Sequence, residues 1–99
     1  MKKVIQELNK AFENRIRLGI MSALTVNDFQ EFSALKELLD VTDGNLASHT
    51  RALEDQGYIR VEKSFVGRKP NTRFFITEAG QEAFERHLAA LEKIVKGGF

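Results

Sequence analysis

A chain of 99 residues has room for one hydrophobic core and too little for two, and a core of that size gains from pairing with a second copy. It contains no cysteine, which excludes disulfides and thiolate metal sites, and no apolar run near the ~20 residues that a membrane span requires. The net charge of +1 excludes a uniformly basic coat, but five basic residues stand against one acidic residue between Arg60 and Arg73, whereas from Thr77 onward four acidic residues face three basic ones.

In chain order, Val4, Ile5, Leu8 and Phe12 recur at helical spacing, and the pattern resumes after Glu13-Asn14 with Ile16, Ile20, Ala23 and Leu24. This predicts two helices, or one with a bend. Leu18 and Met21 lie on the flank away from Ile16, so the second helix is expected to be covered on more than one side. Met1-Lys2-Lys3 leads into Val4-Ile5-Gln6-Glu7 and not into the unbroken apolar stretch of a signal peptide. With the absence of cysteine, that points to a cytoplasmic protein with no membrane partner. Val26-Asn27-Asp28 reads as a turn, and Phe29 and Phe32 fit a very short strand or an extended link. Ser33 is then the expected N-cap of a short helix carrying Leu35, Leu38 and Leu39.

Asp40-Val41-Thr42 is a second turn, and Thr42 is the expected cap of a helix of about four turns that runs to Gln56. At about 100° per residue, Leu46, Thr50 and Leu53 fall together toward the core. Gly44, Ser48, Arg51 and Asp55 fall on the opposite side, flanked by Asn45 and Ala47. Gly57 stops the helix, and Tyr58 and Ile59 turn back inward. In the strand that follows, Ile59, Val61 and Phe65 share a face interrupted by Lys63; in the next, Thr72, Phe74 and Ile76 alternate with Arg73 and Phe75. The tip between them, Val66 to Asn71, holds the only proline of the chain. Thr77 opens a last helix of roughly 20 residues, about 30 Å long. Its apolar positions form two stripes: Phe84, Leu88, Leu91 and Val95, and beside them Ala79, Ala83, Ala90 and Ile94. Helix, turn, helix, hairpin is the layout of a winged helix, mainly α with a small β-hairpin.

That layout locates the chemistry. A helix that enters a major groove ~12 Å wide must carry small or polar residues on its leading turns. Thr42, Gly44, Asn45, Ala47, Ser48 and Arg51 satisfy this, with Asn and Arg able to pair bidentately with adenine and guanine edges. Asp43 suits the helix dipole, but its carboxylate would repel nearby phosphates. Arg68 and Lys69 on the hairpin tip, with Arg73 in the second strand, are the candidate phosphate contacts. Enzyme chemistry finds no support. His49 and His87 lie 38 positions apart, the glycines form no phosphate cradle, and Glu78, Glu82 and Glu85 follow one solvated helical face. No catalytic residue, metal or cofactor is therefore expected. Val4, Ile5, Leu8 and Phe12 at the start and Leu88, Leu91, Ile94 and Val95 at the end are surplus apolar surface, expected to form the interface of a homodimer.

The run from Val41 to Ile59 resembles the winged helix-turn-helix transcriptional regulators of the MarR/ArsR type, and particularly their small group that is little more than the DNA-binding fold. The resemblance spans roughly Asn14 to Leu91. It is carried by Asn45-Leu46-Ala47-Ser48-His49 with Leu53 and Gly57-Tyr58-Ile59, and by Gly67-Arg68-Lys69-Pro70 through Thr77-Glu78-Ala79-Gly80. It implies one winged-helix domain over residues 1–99, with terminal helices at about 1–13 and 77–96 pairing two subunits. It further implies a repressor whose two recognition helices read the halves of a near-palindromic double-stranded operator. The alternative is a winged-helix module that binds another protein instead of DNA. Thr50 stands where relatives usually place leucine, and the cysteines of the metal-sensing branch are absent, which argues against metal sensing. The resemblance leaves a small-molecule effector, if there is one, only the dimer cleft to occupy.

Overall fold

In a computed structural model, which describes residues 1–99, two asparagines divide the first quarter of the chain. After α1 (Lys2–Glu7), the Asn9 side chain accepts from the Ala11 N–H and starts a 3-10 turn over Lys10–Phe12. The Asn14 side chain then accepts from the amides of Ile16 and Arg17, at 2.9 and 3.1 Å, and starts α2 (Arg15–Val26). The chain continues through β1 (Gln30–Glu31), α3 (Phe32–Leu39), α4 (Asp43–Asp55), β2 (Ile59–Val66), β3 (Lys69–Ile76) and α5 (Glu78–Val95). The strands form one antiparallel sheet in the order β1-β3-β2.

α2 lies at the centre, as its extra apolar flank predicts: Ile20, Met21, Ala23 and Leu24 are all buried, and the helix touches α3, α4, α5 and β3. Leu35, Leu46, Leu53, Ile59 and Phe74 close around it in one apolar cluster with Phe12 and Phe84. Thr50 is buried on the inner face of α4, and its hydroxyl donates to the Leu46 carbonyl at 2.9 Å, so the substitution for an apolar residue leaves no unpaired polar atom there.

Two local expectations change. Ser33 does not cap α3. Gln30 and Glu31 pair with Phe74 and Arg73 of β3, which holds the chain extended up to Glu31, so the helix starts at Phe32 with no side-chain cap. The hairpin tip is tighter than Val66 to Asn71: Val66 pairs with Lys69 and Phe65 with Pro70, leaving a turn of only Gly67 and Arg68. Gly67 takes φ 65° at the first turn position, a conformation costly for any side chain but cheap for glycine. Phe65 does share the face of Ile59 and Val61, but it lies past the helix that covers them and is 72% exposed.

The end of α4 is fixed to the start of α5. Past Gly57, the Tyr58 N–H returns to the Leu53 carbonyl at 3.0 Å and ends α4 as predicted. The Thr77 hydroxyl donates to the Gly57 carbonyl at 2.6 Å, its N–H donates to the Tyr58 carbonyl at 3.1 Å, and its oxygen accepts from the Gly80 amide at 2.9 Å, capping α5. A Cβ at Gly80 would run into the Tyr58 carbonyl, a backbone atom held from both sides. Gly80→Ala is therefore expected to destabilise the protein by about 1–3 kcal/mol or more, read as a lower urea midpoint with unchanged m-value. An unaltered midpoint would show that the two helices are not in this close register.

Candidate DNA-binding surface

Thr42 accepts from the Asn45 amide at 3.2 Å and starts α4 with its first turns projecting from the domain. Gly44, Asn45, Ala47, Ser48 and Arg51 are all exposed along this outer side, and nothing lies within 4 Å of a Cβ placed at Gly44. The repulsion expected from Asp43 is offset within the chain, because Lys36 of α3 reaches its carboxylate at 2.8 Å. Between α4 and the hairpin runs a cleft of about 180 Å³, bordered by Ala47, Thr50, Arg51 and Glu54 on the helix and by Val61, Lys63, Thr72 and Phe74 on the strands.

Strand alternation sorts the basic residues of the hairpin into two sets. On the face turned away from α4, Arg60 pairs with Glu62 at 2.7 Å and lies over the Phe75 ring at 4.2 Å. Arg73 belongs to the same set, on the face turned away from α4. Its guanidinium lies 4.5 Å over Phe29 and its Nε is 4.0 Å from the Glu31 carboxylate, so it fastens β1 and the preceding turn to β3. On the other face Lys63 borders the cleft; at the tip, Arg68 stands in the turn and Lys69, paired with Val66, lies on the face of Arg60 and Arg73. None of Lys63, Arg68, Lys69 and Arg51 has an ion-pair partner. These unpaired cations are the electrostatic part of the surface.

Two further cations that sequence reasoning did not single out border this surface. Lys63 reads as an interruption of an apolar stripe, and only the position of α4 shows that it faces the recognition helix. Arg15 follows the Asn14 cap of α2 and comes to rest beside Thr42 and Asn45 at the start of α4. The signal in the sequence was a cation one residue after a capping asparagine, but the neighbour that gives it meaning is about thirty residues away.

The two histidines each serve the packing. Arg17 Nε donates to His49 Nδ1 at 2.9 Å, bracing α4 against α2. The Asn9 N–H donates to His87 Nδ1 at 2.9 Å, holding the 3-10 turn to α5, where His87 also packs against Phe12. Burial lowers the pKa of both; Arg17 adds to the effect at His49, and Glu13 opposes it at His87. Each must be neutral to accept its bond. With folded pKa values below the usual ~6.5, their contribution to stability is complete above that pH and is lost as the pH falls through the folded values. Melting temperature is expected to drop between pH 7.5 and 5, and to drop less in a His49→Gln, His87→Gln variant. Equal drops in the two proteins would remove the histidines from the account.

The residues expected at a dimer interface separate likewise. Phe12 is only 2% exposed, packed on Tyr58, Phe84 and His87 with ring centroids 5.2–5.5 Å apart, and Val4 is buried as well. Both belong to the core of the single chain, because α1 folds back along α5. Leu8, Leu91 and Ile94 are half-buried, whereas Ile5, Leu88 and Val95 remain exposed.

A helix-turn-helix whose second helix presents a small, polar outer face, bordered by a hairpin with unpaired cations, defines a DNA-binding module. A family model described as a winged helix DNA-binding domain matches residues 16–95, and the chain belongs to that family. An uncharacterized protein of Methanocaldococcus jannaschii is 33% identical over 87 residues, covering 88% of this chain and 95% of its own. Among solved structures, a transcriptional regulator homologue from Pyrococcus horikoshii is 35% identical with a TM-score of 0.86, covering 97% of this chain and 93% of its own. PadR of Bacillus subtilis, solved in complex with operator DNA, shares the fold at 13% identity and a TM-score of 0.67; the match covers 76% of this chain and 48% of PadR. The resemblance to winged-helix transcriptional regulators holds, and the chain is a DNA-binding regulator of that class. No helix is long and apolar enough to cross a membrane.

Proposed function

We propose that the protein represses transcription as a homodimer bound to a near-palindromic operator. The outer face of α4 enters the major groove, where Asn45, Ser48 and Arg51 meet base edges and Thr42, Gly44 and Ala47 permit close approach. Arg68 and Lys69 reach the flanking backbone from the hairpin tip, and Lys63 and Arg15 add phosphate contacts on either side of the helix. The observation that carries this reading is the conjunction of a small, polar, exposed helix face with Arg51, Lys63, Arg68 and Lys69, none of which is neutralised within the chain. Bacillus subtilis PadR, which shares the fold, was solved in complex with operator DNA, which supports DNA as the partner.

Two copies joined through the exposed side of the terminal helices would hold their recognition helices about 34 Å apart, one turn of DNA. The dimer excludes polymerase by occupying a promoter. Selection of bound fragments from a random duplex pool tests the reading. The expected product is an inverted repeat with half-site centres about 10 base pairs apart. Recovery of unenriched DNA would reject sequence-specific binding, and recovery of a single unpaired half-site would reject the dimer.

A further inference from the structure

The rungs of the hairpin that face α4 change character along its length. Ile59 with Ile76 and Val61 with Phe74 lie in or against the core, Lys63 with Thr72 borders the cleft, and Phe65 with Pro70 lies beyond it. A strand advances about 3.3 Å per residue, so Phe65 stands about 7 Å past Lys63 on the same face. The ring contributes nothing to the core and, with Val66 beside it 64% exposed, gives the edge strand an apolar tip, an association hazard unless a partner covers it. Its surroundings indicate the partner. Lys63 is one rung inward on the same face and Arg68 is in the adjoining turn; on the opposite face Lys69 begins β3, and the only acid of the hairpin, Glu62, is tied there to Arg60. Opposite Phe65, Pro70 stiffens the rung with its fixed φ and adds an apolar surface.

We propose that Phe65 is an apolar wedge that the hairpin drives into the minor groove beside the major groove occupied by α4. This rests on the DNA-binding reading above and adds to it a residue and a mode of selectivity. A ring flanked by unpaired cations suits a polyanion whose grooves are walled by apolar deoxyribose. The cations supply salt-dependent attraction, and the ring packs on sugars and opens a base step. The site therefore selects DNA by deformability, favouring a flexible pyrimidine–purine step at a flank that no hydrogen bond reads.

The test uses the full chain and the duplex recovered from the random pool, labelled at its ends for energy transfer and carrying 2-aminopurine at the flanking step. Wild type is expected to bend the duplex and raise 2-aminopurine emission. Phe65→Ala should lose both and bind ~10-fold more weakly, with an unchanged salt slope because no cation is removed. Phe65→Leu should restore most of the bend. The inference is overturned if Phe65→Ala bends and binds as wild type does, if wild type binds without bending or opening the duplex, or if the substitution changes the sedimentation coefficient and not the DNA response, which would assign the ring to a contact between copies. Failure of wild type to bind any duplex from the pool would instead reject the DNA-binding reading, and this inference with it.

Discussion

Replacing Leu88 and Val95 by glutamate is expected to yield a folded monomer that binds the operator about 100- to 10,000-fold more weakly, the range over which linked half-sites gain from simultaneous engagement. These two side chains are 41% and 84% exposed on α5 and neither belongs to the buried core cluster, so their substitution takes little from the fold of the single chain. Leu91 and Ile94 are less suitable targets because both are half-buried, and Phe12 and Val4 are excluded because the fold already covers them. Charge placed at the centre of a two-fold contact repels its own symmetry mate, so each substitution acts twice in a dimer. Analytical sedimentation at micromolar concentration, with and without operator, separates the outcomes. A dimer that survives both glutamates would move the interface off α5; a wild-type monomer on the operator would end the paired-recognition arrangement.

Signals contained within a few residues could be read before the fold was known. Thr42 and Thr77 cap the helices they were expected to cap, α4 stops at Gly57, and Leu46, Thr50 and Leu53 are the buried face of α4. Signals that depend on a distant partner could not. Ser33 has the chemistry of a cap, but β1 pairing with β3 determines where the chain is free to turn. Arg73 reads in the sequence as a cation with no neighbour, but that same pairing brings Glu31 and Phe29 beside it. Periodicity identifies an apolar face without naming its cover: Phe12 and Val95 read alike in the sequence, yet one lies beneath Tyr58 and Phe84 while the other is almost bare. The same limit hid Lys63 and Arg15, whose placement follows from the way α4 docks against β2 and α2.

Replacing Arg68 and Lys69 by alanine is expected to weaken binding to every duplex, specific or random, and to make the slope of log affinity against log salt less steep by about 3–4. Each lost phosphate contact removes about 0.9 from the slope, and two side chains are lost from each of two subunits. Neither residue has a partner within the chain, so no compensating ion pair is broken and the fold should keep its stability. Arg51→Ala provides the contrast, because that side chain stands on the exposed side of α4 rather than at the tip. If Arg51 reads a guanine edge, its loss costs about 1–3 kcal/mol on the operator, relaxes preference at one base position and leaves random DNA nearly unaffected. If both variants lose affinity equally on operator and random DNA, Arg51 is a phosphate contact and base reading rests with Asn45 and Ser48. An unchanged salt slope in the Arg68, Lys69 variant would show that the hairpin tip stays clear of the backbone.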